Sequence, residues 1–355
     1  MSEQWLKLTT YFGERDRTGR GLLADELMEL YGARSLKASV LLRGTEGFGG
    51  LHHLHSDRLL SLSEDLPVVS VAVDRRAQIE ATLDRVLQIT RRGLITLERA
   101  QLLSGEVGPT ALPAESVKLT AYVGRQERVN GRPAFAAVCE LLHRRGLSGA
   151  TVLLGVDGTL SGRRARARFF GRNAQVPMMI IAVGPGEQVA AVLAELGGLL
   201  REPLLTVERV RVCKRDGELL TAPHELPGSD ERGLELWQKL MVYTPDNALY
   251  DGHPLHLEIV RRLRGAQAAG ATSLRGLWGF HGDQAPRGDR FLQVRRHVPV
   301  VTIAIDTPQN TARSFQIIDE LTAEQGLVTS EMVPAMTAMS GHERRGGLRL
   351  ARLDF

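Results

Sequence analysis

At 355 residues, 43% hydrophobic and with a formal net charge of +4, the chain has the make-up of a globular protein with two or three cores. No apolar run approaches the roughly 18–20 residues of a membrane span, and two cysteines, Cys139 and Cys213, make no disulfide framework. The N-terminal MSEQWLKLTT has neither a charged nor an apolar leader region, so secretion is not expected, and the two unrelated thiols predict a reducing cytoplasm. Only 5% aromatic residues argue against base stacking, so no nucleic acid is expected as a partner.

The first element is an alternating run, LKLTTYF, with Leu6, Leu8, Thr10 and Phe12 on one face and Lys7, Thr9 and Tyr11 on the other. Period-two alternation predicts a strand. Helical spacing follows at Leu23, Leu27 and Leu30, then a short strand, ASVLLRG, ending at Gly44. After about twenty irregular residues comes PVVSVAV from Pro67, almost wholly apolar and β-branched, as in a strand buried on both faces. A second helix through Ile79, Leu83 and Val86 and a closing strand, GLITLERAQLL, complete the series.

The same series occurs twice more. LKLTTYFG becomes VKLTAYVG and QKLMVYTP, and constant displacements carry Lys7 to Lys118 and Lys239, Tyr11 to Tyr122 and Tyr243, Gly44 to Gly155 and Gly276, and Gly47 to Gly158 and Gly279. Pro133 and Pro254 predict the first turn of the repeated helix, and Pro177 and Pro299 the repeated buried strand. A period of roughly 110 residues is the size of a domain, not of a solenoid repeat. The expected units are 1–105, 116–213 and 236–339, with linkers at 106–115 and 214–235 and a basic tail at 340–355, flexible or docked on the surface. The order β-α-β-β-α-β predicts an α+β, ferredoxin-like plan. Three such units in one chain predict a single-chain pseudo-trimer, monomeric in solution or a dimer of such particles.

Each copy has a Gly-x-x-Gly after its second strand: Gly44/Gly47, Gly155/Gly158 and Gly276/Gly279. Glycine lets successive amides approach an anion, or it shapes a strand-to-loop bend; the residues leave both open. Candidate binding residues are Arg43, Gly44, Gly47, Phe48, Gly49, Gly155, Gly158, Gly162, Arg275, Gly276, Gly279 and Phe280, with Arg43 and Arg275 as phosphate partners. Gly47 is expected in a loop outside the core, and 46–64, 157–174 and 278–296 are expected to be the least ordered internal segments. His52, His53 and His55 with Asp57 have the ligand types of a metal site, yet the other copies have no matching set, so a solvated loop is the favoured reading. Arg163, Arg164, Arg166, Arg168 and Arg172 are read either as contacts for phosphate or an acidic partner or as a solvated face. Glu98 and Glu208 align on the last strand, with Glu331 one residue out of register, and are read as ion-pair partners. No nucleophile–base pair repeats, so neither catalytic residues nor a metal are expected, and the chain is not expected to be an enzyme.

The stretch LKLTTYFGERDRTGRGLLADELMELYGARSLKASVLLRGTEGFGG, with PVVSVAVD and GLITLERAQLL, resembles the bacterial DUF190 family of P-II-like proteins. GRPAFAAVCELLHRRGLSGATVLLG and DGHPLHLEIVRRL with GATSLRGLWGF resemble it more distantly. The resemblance implies trimer-forming ferredoxin-like units with effector clefts between them, commonly for adenine nucleotides. It also implies that the Gly-x-x-Gly segment is the base of a loop that contacts a target protein, such as a membrane transporter or an enzyme. The segment after the third strand reads DRRAQ, GPGEQ and DTPQN, which departs from the Gly/Lys-rich phosphate loop of P-II proteins.

Overall fold

Alternation in the first seven residues of each copy becomes the middle strand of a four-stranded sheet. The computed structural model describes residues 4–49, 55–56, 65–105, 107, 112–113, 115–167, 175–282, 284–288, 298–341 and 343–353. Unit 1 runs β1 (Trp5–Gly13), α1 (Leu23–Ala33), β2 (Ala38–Arg43), β3 (Glu46–Phe48), β4 (Pro67–Arg75), α2 (Arg76–Ile89) and β5 (Arg92–Ser104). β1 lies between β4 and β5, and β4 between β1 and β2, all antiparallel.

Unit 2 repeats this with β6 (Ser116–Gly124), α3 (Ala134–Arg144), β7 (Gly149–Leu160), β8 (Arg163–Arg166), β9 (Pro177–Pro185), α4 (Gly186–Leu199), β10 (Leu204–Arg209) and β11 (Arg211–Arg215). Unit 3 has β12 (Trp237–Pro245), α5 (Leu255–Gly265), β13 (Ala271–Arg275), β14 (Trp278–His281), β15 (Pro299–Asp306), α6 (Pro308–Leu321), β16 (Leu327–Val333), β17 (Ala335–Ser340) and β18 (Glu343–Gly347). Both keep the strand order of unit 1. The helix-start prolines fall one residue earlier than expected: Pro133 and Pro254 are N-caps, ahead of Ala134 and Leu255.

Each sheet is buried on both faces. One face packs on the unit's own helices; in unit 1 these are Leu6, Leu8, Phe12, Val68 and Ala72 against Leu23, Leu27, Ile79 and Val86. The other face enters a core shared by all three units, where Val69, Val71 and Val73 meet Tyr122, Met179, Ile181, Met241, Tyr243, Val301 and Ile303. Two buried faces leave little place for polar alternation, which is why the third strands are almost wholly apolar, with Ser70 and Thr302 as buried exceptions.

The units are tied by strands that leave one sheet and join the next. β5 pairs β1 along its first half, then Gln101–Ser104 pair β10 of unit 2. β11 pairs β16 of unit 3, and β17 pairs β5 of unit 1, closing the circuit. The tail continues that last connection: β18 pairs β17, Ala351 is buried, and its carbonyl accepts from Arg99 Nη2 at 2.8 Å. Residues 343–353 are therefore docked, against β17, Asp230 and Arg232 of the second linker and Arg99 of unit 1. A second circuit runs the opposite way through the Gly-x-x-Gly segments, which are called arms below.

Candidate functional site

Lys7, Lys118 and Lys239 sit mid-strand on the face turned to the shared core, opposite Glu98, Glu208 and Glu331 on the last strands. Glu331 is thus in register with its lysine, against the sequence expectation. The extra residue is taken up in the turn before the last strand, between Thr90 and Gly93 in unit 1 but between Thr322 and Gly326 in unit 3. The six side chains form a closed ring of alternating charge. Lys7 contacts Glu208 and, at 3.3 Å, Glu98; Lys118 contacts Glu331 at 2.5 Å and Glu208 at 3.3 Å; Lys239 contacts Glu331 at 2.9 Å and Glu98.

All six side chains are at most 8% exposed. Burial pulls Lys7 and Lys239 down, but the glutamates outweigh it and hold both above the usual lysine range. Burial pushes Glu98 and Glu331 up, and the lysines more than reverse it. At Lys118 burial wins over Glu208 and Glu331 and the shift is downward. The contacts are alike at all three corners, so we take Lys118 as charged, with the narrowest margin. The three carboxylates lie within 4.8 Å of one another, yet each is flanked by two ammonium groups. Three positive and three negative charges cancel, and the ring needs no metal.

The arms carry most of the candidate binding residues. Past the first glycine of the motif, each arm leaves its own sheet and pairs with the second strand of a neighbour: β3 with β13 of unit 3, the end of β7 with β2 of unit 1, and β14 with β7 of unit 2. Register is the same each time, with Gly47 opposite Thr272, Gly158 opposite Val40 and Gly279 opposite Thr151. The glycines permit this close crossing. A Cβ on Gly44, Gly155 or Gly276 would lie 3.0, 2.2 or 2.8 Å from the carbonyl oxygen of Pro67, Pro177 or Pro299. One on Gly47, Gly158 or Gly279 would lie 2.5, 2.0 or 2.2 Å from a neighbour's carbonyl oxygen. Gly47 is buried in a strand, not in a loop outside the core, and its φ is not positive. Gly49 faces open space, and Gly162, at φ 79°, makes the turn from β7 to β8.

The residue after the second glycine plugs the neighbour. Phe48 is buried in the helix-side core of unit 3 and Phe280 in that of unit 2. Thr159, at the matching place in unit 2, exchanges hydroxyl contacts with Ser39 of unit 1 at 3.0 Å. The residue before that glycine is used differently each time, against the neighbour's first helix in units 1 and 3 and within its own arm in unit 2. Glu46 lies 3.8 Å from His256, and Trp278 packs edge-on to Phe135 at 5.9 Å. Asp157 takes both arms of Arg164, at 3.1 and 2.7 Å, while Arg166 reaches Asp25 of α1 at 2.8 Å. The described arginines of the middle loop are thus partly spent on internal docking. Residues 46–48, 157–160, 163–166 and 278–281, expected to be poorly ordered, lie in paired strands. The rest of those segments falls partly outside the described residues, including His52, His53, Asp57, Arg168 and Arg172.

Arg43 pairs with Glu14 at the surface, and Arg275 with Asp246 at 3.1 Å. Both candidate phosphate partners therefore already face a carboxylate. A cavity of about 420 Å³ opens between units 2 and 3, walled by the unit 3 arm. Ala150, Thr151 and Ile181 to Val183 form one side; Tyr243, Thr244, Asn247, Gly279, Phe280 and Leu327 form the other. His281, Gln284, Arg287 and Gln325 supply polar groups. Of the candidate residues, Gly279 and Phe280 border it. Arg287, exposed on its lining, has no carboxylate partner among the described residues. Sequence reasoning missed Arg287 because it lies beyond the repeated motif, where the copies no longer align.

Three copies of one α/β unit, joined by two opposed circuits of strand exchange, define a tandem-repeat α/β protein. The chain belongs to the DUF190 family, described as "Uncharacterized ACR": the family model matches residues 5–102, 116–212 and 237–335. The resemblance to P-II-like DUF190 proteins holds for all three copies. Among the described residues no helix is long and apolar enough to cross a membrane.

Proposed function

We propose that the chain is a cytoplasmic, non-enzymatic P-II-like regulator, a pseudo-trimer of ferredoxin-like units written into one polypeptide. It takes a small anionic effector, an adenine nucleotide, in the cleft between units 2 and 3. It signals to a target protein, a membrane transporter or an enzyme, through the arm that walls the cleft. The observation that carries this reading is the cavity, whose size falls within the roughly 300–1,000 Å³ of small-molecule sites. It combines apolar walls for a flat body with Arg287, Gln284 and two threonine hydroxyls for a charged end. The strand order of each unit and the closed lysine–glutamate ring support the pseudo-trimer. Because the cavity wall is itself the arm, a ligand that contacts the arm biases its position.

Calorimetric titration with AMP, ADP and ATP tests the proposal. Binding at micromolar to sub-millimolar concentration, weakened about tenfold or more by Arg287→Gln and unchanged by Arg43→Gln, is the expected result. Absence of binding by all three nucleotides at millimolar concentration removes the nucleotide from the proposal.

A further inference from the structure

The last part of the chain is a strap whose charge and anchoring differ from the rest of the surface. Residues 343–353 read ERRGGLRLARL, four arginines against one glutamate, in a chain whose total net charge is only +4. Leu348 and Leu350 pack on the helix-side core of unit 1 and Ala351 is buried, while Arg344, Arg345, Arg349 and Arg352 are all exposed. Apolar residues face in and arginines face out.

The strap backbone is fixed at both ends. β18 pairs β17, the Ala351 amide donates to the Pro334 carbonyl at 2.8 Å, and the Arg352 amide donates to Asp230 Oδ2 at 2.9 Å. Arg232 Nη2 donates to the Leu350 carbonyl at 2.9 Å. Ordering a chain end costs about 1–2 kcal/mol per residue in backbone entropy, and here that ordering holds the arginines in fixed places.

Basic side chains elsewhere already face carboxylates. Arg132 meets Glu140 and Arg145 meets Glu195, each at 2.6 Å, and His281 at the cavity meets Asp216, just beyond β11, at 2.5 Å. Among the described residues none of the four strap arginines meets a carboxylate side chain. Arg344 Nε donates to Thr337 Oγ1 at 3.0 Å, and the Arg345 guanidinium lies over the Trp237 ring at 5.5 Å. Both contacts leave the charge uncompensated.

We propose that the strap is a docking site for an extended acidic segment of a partner protein. Arg344 and Arg345 are neighbours in a strand and so project to opposite faces of the sheet, one beside Thr337 and the other over Trp237. β18 is the end strand of its sheet among the described residues. A peptide laid along that edge meets arginines from both faces, whereas a flat bilayer meets one face only. Charges at a sheet edge deter apolar strands, so an acidic segment is the one that fits, held by charge-assisted hydrogen bonds to the guanidinium groups. No strap residue lines the cavity, and the site needs no effector.

Fluorescence anisotropy of a labelled hexaglutamate peptide with the intact chain tests the site, with hexaglutamine and phosphatidylglycerol vesicles as the other probes. Hexaglutamate is expected to bind at low salt and hexaglutamine is not. Binding should weaken about fivefold or more in Arg344→Gln/Arg345→Gln/Arg349→Gln, and by a similar factor at about 0.5 M salt. Arg132→Gln and Arg287→Gln should leave it unchanged, so the nucleotide proposal stands or falls separately. Amide exchange in residues 343–347 of the wild type should slow when the peptide is bound, which locates the contact without any substitution. Absence of hexaglutamate binding, an equal loss in Arg132→Gln, or slowed exchange only outside the strap overturns the site. Binding to the vesicles without binding to the peptide overturns the choice of partner.

Discussion

Lys7, Lys118 and Lys239 are one residue type at three equivalent places, as are Glu98, Glu208 and Glu331; the arm positions just before the second glycine are instead Glu46, Asp157 and Trp278. At the axis each corner must meet two others, so a change in one copy leaves a charge in another unpaired. In the arms each contact involves only one pair of units, and each pair can settle on its own chemistry. Two Phe plugs, one hydroxyl pair, one Arg166–Asp25 ion pair and one Trp278–Phe135 edge contact between units result. Uniformity marks the ring that all three units share, and divergence marks the arm contacts, each made between one pair of units.

The largest effect should come from breaking the ring. Replacing Glu208 or Lys239 by a neutral residue leaves buried charges without compensation and should cost about 3–5 kcal/mol in urea unfolding. The ring also sets a pH profile. Glu98 and Glu331 are held low once burial is outweighed by the lysines, so their contribution is complete above the unfolded carboxylate value, about 4.3. It drains as pH falls through the folded values. Lys7 and Lys239 are held high, so theirs is complete below about 10.4 and is lost as pH rises further. The part carried by these four groups should be flat between about pH 5 and 10 and fall on both sides, while Lys118, held low by burial, adds a rise on the approach to about pH 10.4. Continued rise in stability below pH 4 would show that the carboxylates are not ionised in the ring.

The arms should give graded results. Phe280→Ala and Phe48→Ala each empty a neighbour's core and should cost about 3–4 kcal/mol, against about 1 kcal/mol for Thr159→Ala. Equal costs at the three positions would mean that the plugs do not differ as the cores indicate. Gly47→Val drives a side chain into the Ala271 carbonyl and should destabilise by about 2 kcal/mol, whereas Gly49→Val should stay within about 0.5 kcal/mol. Thermal melts of the pair decide whether the crossing is as tight as drawn.

Much of the unit was legible in the sequence because three copies vote on the same periodicity. The apolar third strands announced two buried faces, although nothing local said that the second face belongs to a core shared among units. Gly-x-x-Gly was visible as a motif, but a glycine that admits a ligand and one that admits a neighbouring strand look alike in one dimension. Only the register of Gly47 with Thr272, a residue more than two hundred positions away, separates them. The ring was half seen: the lysines align and the glutamates read as ion-pair partners, but the added residue before Gly326 set Glu331 one place off, and nothing local joined the six into one ring. Arg287 and the Asp216–His281 contact could not be read, since they depend on how unrelated linker and arm residues meet.

The central claim is that one chain closes on itself, with β17 of unit 3 completing the sheet of unit 1. Leu94 and Ala338 are directly opposed, half-buried residues on those strands, and paired cysteines there can be oxidised and sized under denaturing, non-reducing conditions. The account predicts a Leu94→Cys/Ala338→Cys disulfide formed within single chains, at the mass of one chain and independent of protein concentration. A bond that forms only between chains, giving covalent oligomers, would contradict it.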